Sequence, residues 1–468
     1  MAGIGFRLQK MLSEDTYSST LKAYFYAAAV SSGPWLFTII SVGFIGLYTS
    51  LYLDLHTQFV FRSIVVYTYA FSLIVTGAFQ MVITRYLSDR FFSLDADAAL
   101  PTFMMVLVLS TFLQAVSAIA FYSFFDFSLK IKMAAILLYV VVSNIWLAMV
   151  FLTALRDFRG ILISFLSGAA VSLLAGIVWG RFEGLLGLLM GYSVGQSLIL
   201  LLLTRNIFHE FRYVKSLDRE FFHYFKMYPQ LIFIGLLYNL AIWIDKFIFW
   251  YCGPGEQVEG LLYLCRVYDS SMYIAFLSII PSLSLFIIRI ETSFYQYYRD
   301  FYGAITKKMP LSVIEDKKQQ IFDSLYLSMQ RFLKLQGFIS LLIIIFAHFI
   351  IDFMNLEWRQ VSILQIGVLG TFLHVLVLIL SIIVLYFDFR NLCLGITLTF
   401  FLTNMVFTWI TVQLGYAFYG YGYMFSCLVT LVVGFILFAN KLKDLEYITF
   451  MKQPVMTTRR ETAPERGN

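Results

Sequence analysis

Long apolar runs dominate this chain, interrupted by short polar stretches rich in lysine and arginine. A run of about 20 apolar residues is what an α-helix needs to cross a hydrocarbon core. Twelve such runs fall near 26–50, 61–84, 101–124, 133–155, 161–179, 184–204, 229–250, 262–288, 335–352, 361–387, 392–412 and 421–440. The pattern predicts an all-α integral membrane protein with about twelve transmembrane helices. Two connections are long, 205–226 and 289–334. Within the second, Ile314, Lys318, Ile321, Phe322, Leu325 and Met329 recur at helical spacing. That stripe predicts an interfacial helix or an extension of span eight, with docking of a cytoplasmic partner as the alternative.

The chain divides into a six-helix bundle over 1–204, a linker over 205–228, a second bundle over 229–440 that includes the loop 289–334, and a tail over 441–468. The two halves look like repeats. LRDFRG (155–160) and YFDFRN (386–391) both place Asp-Phe-Arg between the fourth and fifth spans of a half. Halves that start on the same side are parallel repeats about an axis along the membrane normal, an arrangement typical of carriers.

Composition agrees with the spans. Charged residues are 13% of the chain and hydrophobic ones 60%, where soluble domains carry about 25% charged. The net charge of +6 does not indicate nucleic acid, because the basic residues sit in short loops. Placing both termini in the cytoplasm puts 27 Lys and Arg on that side and 5 on the other, as the positive-inside rule requires. The polar opening segment is expected to stay attached, with no signal cleavage site after it.

Catalytic chemistry is not indicated. The histidines His56, His209, His223, His348 and His374 are scattered, no metal, nucleotide or nucleophile motif occurs, and no cofactor is expected. His374 lies within span ten, as a proton relay or as a bonded core residue. Cys252, Cys265, Cys393 and Cys427 read as small core residues. Aromatics reach 18%, with clusters at 294–302 and 415–423. Interface belts account for most, with the wall of a sugar path as the alternative reading of a cluster. SSGPW (31–35) breaks span one, making Gly33 and Pro34 a static kink or a hinge, and Pro281 in span eight is a second such position.

The opening MAGIGFRLQKMLSEDTYSSTLKAYFYAAAVSSGPWLFTIISVG, above all its GIGFRL and SSGPW strings, resembles the PelG family, as do the spans and the loop after span eight. That family is the integral membrane component of bacterial Pel exopolysaccharide secretion. The resemblance implies two six-helix bundles of the multidrug/oligosaccharidyl-lipid/polysaccharide flippase superfamily in the inner membrane. It implies export of an N-acetylgalactosamine-rich polymer, with a cytosolic PelF-like glycosyltransferase and PelD-like and PelE-like membrane partners. No invariant catalytic motif carries over. The competing readings are a cation-coupled multidrug-type antiporter, which should hold an isolated intramembrane carboxylate, and a membrane-embedded glycosyltransferase, which would need clustered carboxylates.

Site candidates therefore rest on charge. NLAIWIDKFIFWY (239–251) sets Asp245 beside Lys246 in span seven, where each costs about 2.5–3.5 kcal/mol at a helix centre. Span eight offers Arg266, Asp269, Ser270 and Tyr273 on one face, at i, i+3, i+4 and i+7. The charges sum to zero, so Asp245 with Arg266 and Lys246 with Asp269 is one expected pairing, and pairing within span eight another. Asn239 and these residues form either a helix-locking ion network or the edge of a hydrated path for sugar hydroxyls.

Overall fold

The computed structural model describes residues 36–38, 40–93, 96–155, 158–211, 220–289, 294–443 and 445. Gly33, Pro34, most of the tail and residues 156–157 of the first Asp-Phe-Arg turn therefore lie outside the described residues. Ten described helices are long and apolar enough to cross a membrane. In chain order the first half contains α1 (Leu36–Thr49), α2 (Leu55–Phe92), α3 (Ala99–Ser123), α4 (Leu129–Leu155), α5 (Phe158–Glu183) and α6 (Leu185–Glu210). A short helix α7 (Glu220–Met227) leads to α8 (Pro229–Tyr251), followed by strands β1 (Glu256–Glu259) and β2 (Leu262–Leu264). Then come α9 (Arg266–Leu277), α10 (Ile280–Arg289), α11 (Tyr295–Thr306), α12 (Leu311–Ile345), α13 (Ala347–Phe353), α14 (Gln360–Tyr386), α15 (Arg390–Leu414) and α16 (Tyr421–Lys443).

The packing order repeats. In the first half α4 packs against α2, α3 and α6, and α5 against α6; in the second α14 packs against α9, α12 and α16, and α15 against α16. Each central helix is thus the fourth span of its half, and two bundles result. Within the first, Gly168, Ser172, Gly176 and Gly180 of α5 recur every four residues opposite Gly187, Gly191 and Gly195 of α6. A Cβ on any of these α6 glycines would overlap α5 backbone. Lipid supplies no hydrophobic force between helices, so close backbone approach through small residues has to provide the attraction.

Two expectations need correction. Span eight, expected as one helix over 262–288, is divided. Residues 262–264 are β-strand, and the helix breaks at Ser278–Ile279 between α9 and α10. Pro281 sits in the first turn of α10, where its missing N–H would have no intrahelical partner anyway. The partly apolar stripe at 314–329 extends span nine, not span eight: α12 runs unbroken from Leu311 to Ile345. Ile314 and Ile321 are buried with Phe301 and Ala304 of α11 in one apolar cluster, so that stripe is consumed inside the chain.

The bundles meet where α2 crosses α8. A Cβ on Gly77 would come within 2.6 Å of the Gly235 carbonyl oxygen, and a Cβ on Gly235 would overlap the Gly77 carbonyl. Asn239 ties the crossing, its amide donating to Leu73 O at 3.2 Å and to Gly235 O at 3.0 Å. Gly77→Ala is expected to cost about 1–3 kcal/mol, the usual range for overpacking. Thermal unfolding of the detergent-solubilised protein checks this against Gly395→Ala, where nothing lies within 4 Å of the new methyl. Equal midpoints for the two variants would refute the backbone contact.

Candidate functional site

Toward its C-terminal end, α8 carries the pair Asp245 and Lys246. Asp245 is completely buried and the Lys246 side chain is 12% exposed. Adjacent helical residues do not face each other, yet the lysine stem is long enough to fold back. Its Nζ lies 3.1 and 3.0 Å from the two Asp245 oxygens and donates to Ile242 O at 3.1 Å. Tyr268 of α9 donates to Asp245 Oδ2 at 2.7 Å. The ammonium also lies 5.2 Å from the Phe276 ring centroid and 5.8 Å from those of Trp243 and Tyr423, within cation–π range. Pairing, hydrogen bonding and aromatic faces together offset the loss of water that the apolar surroundings impose.

Neither expected pairing is the observed one. Because 262–264 form β2, the helix begins only at Arg266, which places that residue at the end of the bundle. Its side chain is 56% exposed and binds Glu256 Oε2 of β1 at 2.6 Å. Asp269 instead accepts from Trp250 Nε1 at 2.9 Å and from the Cys265 backbone N–H at 3.0 Å, satisfying the N-terminus of α9. Its second oxygen, Oδ1, is buried without a hydrogen-bond partner. Ser270 accepts from Gln360 Nε2 at 2.6 Å, Tyr273 is half-buried, and Asn239 belongs to the α2–α8 crossing. Sequence spacing had set these residues on one face; the structure distributes them among three tasks.

His374 of α14 is buried, 3.2 Å from the Tyr238 hydroxyl, among the rings of Phe276, Phe400 and Tyr423. Its Nδ1 has no partner. Cys265, Cys393 and Cys427 are buried, whereas Cys252 is exposed, at the helix end where the chain leaves α8. Tyr423, which lies near the Lys246 ammonium, belongs to the aromatic cluster 415–423, whereas nothing in the sequence signals that Tyr268 reaches a carboxylate on another helix.

Two further clusters close the ends of the α2–α8 seam. At the end rich in basic residues, Arg85 and Arg390 both lie over the Tyr228 ring, at 5.4 and 4.5 Å. Arg85 binds Asp89 at 3.2 Å and reaches Asp388 at 3.9 Å, Arg90 binds Glu220 at 2.6 Å, and Tyr224 donates to Asp89. Asp388 is the aspartate of the second Asp-Phe-Arg turn and has φ of 57°, a left-handed conformation that aspartate tolerates better than most residues. At the other end Tyr67 of α2 stacks on Trp250 of α8, centroids 4.7 Å apart, and its hydroxyl meets that of Tyr251 at 2.9 Å. Between the ends Phe71 stacks on Phe247.

A family model described as "PelG: Putative exopolysaccharide Exporter (EPS-E)" matches residues 1–450. No curated relative matches the chain. Among solved structures, an outward-facing multidrug resistance MATE family transporter of the MOP superfamily aligns over 91% of this chain and 96% of its own, at 13% identity and a TM-score of 0.68. A MOP superfamily transporter from Pyrococcus furiosus, titled for the reverse polarity of its binding pocket, covers the same shares at 12% identity and a TM-score of 0.66. An inward-facing MATE structure gives 14% and 0.59 over 91% and 95%. At such identities the likeness establishes the fold alone, the two-bundle architecture of those structures.

Removing one member of the buried pair strands the other. Asp245→Asn is expected to cost about 3–5 kcal/mol through the unpaired ammonium, and Asp245→Asn with Lys246→Met to recover most of it. Yield and monodispersity of the folded protein in detergent measure both, and a single variant as stable as the double would rule out the pairing.

Proposed function

Because the chain belongs to the PelG family of exopolysaccharide exporters, we propose that it moves a Pel-like, N-acetylgalactosamine-rich polysaccharide across the bacterial inner membrane, fed by a separate cytosolic glycosyltransferase. The observation that carries this reading is that the family match runs through both bundles of a transporter fold. The 27-to-5 distribution of lysine and arginine supports placing both termini, the loop 289–334 and the Arg85–Asp388 cluster in the cytoplasm. The division into bundles over 1–204 and 229–440, joined by the linker 205–228, belongs to the same reading. So does flexing at the Ser278–Ile279 break before Pro281 as the halves rock.

A neutral, hydroxyl-rich polymer suits a path whose charges are balanced locally and whose walls are aromatic. Lys246, 12% exposed and surrounded by rings, is the member of the buried pair nearest such a path, and a sugar hydroxyl would have to share a donor now held by Asp245 or Ile242 O. Tyr273 is its half-buried companion, while Asn239, Asp269 and Ser270 support the helices that carry them.

The glycosyltransferase surface lies on the opposite face of α12 from the buried stripe. There Tyr326 and Leu327 are exposed; at the edge of that face, on the side of α11, a cavity of about 280 Å³ is lined by Tyr297 of α11 and by Gln320, Asp323, Ser324, Leu327 and Arg331 of α12, among others. PelD-like and PelE-like membrane partners complete the assembly in this reading.

Two experiments test it. Ser312→Cys in intact cells is expected to react with an impermeant maleimide only after permeabilisation; labelling without permeabilisation would invert the orientation. Tyr326→Ala with Leu327→Ala is expected to insert normally and to lose both copurification with the glycosyltransferase and polymer export. Retention of both would remove α12 as the docking surface.

A further inference from the structure

The connection between α8 and α9 differs from its counterpart in the other half. Between α1 and α2 the chain turns within 50–54, and Asp54 caps α2 by accepting from the Thr57 N–H at 2.9 Å. Between α8 and α9 it builds a β-hairpin instead, with Glu256 opposite Leu264, Gln257 opposite Tyr263, and an irregularity before Glu259. An isolated two-stranded hairpin is marginally stable at best. This one is held by the other bundle. The Tyr67 hydroxyl of α2 bonds both the N–H and the carbonyl of Tyr263, each at 3.1 Å. His56 Nε2 lies 3.1 Å from Val258 O and 3.3 Å from Glu259. The turn at Gly260, with φ of 54°, comes so close to Phe125, beyond α3, that a Cβ there would meet the ring at 2.9 Å. Arg266, fixed by Glu256, lies over Phe59 of α2 at 5.2 Å. Leu262 is completely buried.

We propose that the hairpin 256–264 is a latch across the outer end of the α2–α8 seam, which must leave the first bundle before the path opens to that side. The proposal rests on the transport reading above. With Tyr67 and Trp250 stacked at 4.7 Å, no sugar ring passes between them, so opening there requires the rings to part. The hairpin is joined to that stack at its base. Trp250 donates to Asp269, whose carboxylate also holds the Cys265 N–H where β2 ends. Parting the stack therefore pulls on the hairpin, and a hairpin lifted from α2 loses the contacts that support it. Closure and hairpin formation become one event, which gives the outer gate two discrete states.

The test covalently fixes the latch. In a Cys252→Ser background, because Cys252 is exposed, His56→Cys and Glu259→Cys are bridged in cells by a short bis-methanethiosulfonate reagent. Both positions are surface residues, 61% and 41% exposed as side chains, and neither supports the core. The bridged peptide is quantified by mass spectrometry, and export is compared in the same cells before bridging, after it, and after reduction. The expected result is loss of export to the level of a strain lacking the chain, with recovery on reduction. Complete bridging with undiminished export would overturn the latch and leave the transport reading intact. Undiminished export in the strain lacking the chain would overturn the transport reading itself.

Discussion

The contact between Gly77 and Gly235 fixes how the two bundles sit. In a bilayer, apolar side chains gain nothing by leaving lipid for one another, so two helices hold together by close packing and by hydrogen bonds that lipid cannot offer. The absence of both side chains lets α2 and α8 touch through their backbones, and the Asn239 side-chain amide donates a hydrogen bond across the crossing. Above and below that point the seam is filled by stacked rings, Phe71 on Phe247 and Tyr67 on Trp250. A larger residue at either glycine would separate these pairs along the whole seam.

The charges follow a second constraint, that their partners are close to home. Asp245 takes Lys246 and Tyr268, Arg266 takes Glu256, and Asp269 takes an indole and a backbone N–H. A buried pair of this kind adds little net stability, and losing one partner is what costs. Its positional consequence is larger. It fixes the depth of α8 against α9 and aims the Lys246 ammonium at Trp243, Phe276 and Tyr423. Asp245, with a cation and a phenol on it, is not an isolated carboxylate; Asp269, held by an indole and a backbone N–H with Oδ1 unpartnered, is the one that a cation-coupled antiporter would use.

Departures from the repeat coincide with what a plain two-bundle carrier does not need. The packing order of the halves matches, but the second half adds the hairpin at one end and, at the other, α11 with the long first half of α12. The hairpin bears on the opposite bundle, whereas α11 and α12 leave an exposed face. In the reading proposed here the first serves gating and the second serves a partner.

Much of this was legible in the sequence alone. Hydropathy located the spans because the bilayer forces every backbone polar group to be bonded within its own segment, which leaves an unmistakable run of about 20 apolar residues per helix. The anomaly at Asp245–Lys246 was equally visible, because an ionised side chain in such a run is costly wherever the helix goes. The division of span eight was not, since Leu262, Tyr263 and Leu264 are as apolar in a strand as in a helix, and periodicity cannot separate the two over three residues. Nor were the partners. Arg266 and Glu256 are ten residues apart, but Tyr268 reaches Asp245 from another helix, and Tyr67 meets Tyr263 across 196 positions. Local cost is written in local sequence. Which group meets it depends on helix rotation, depth and crossing, and those are set by contacts such as Gly77 with Gly235 that exist only once the bundles have come together.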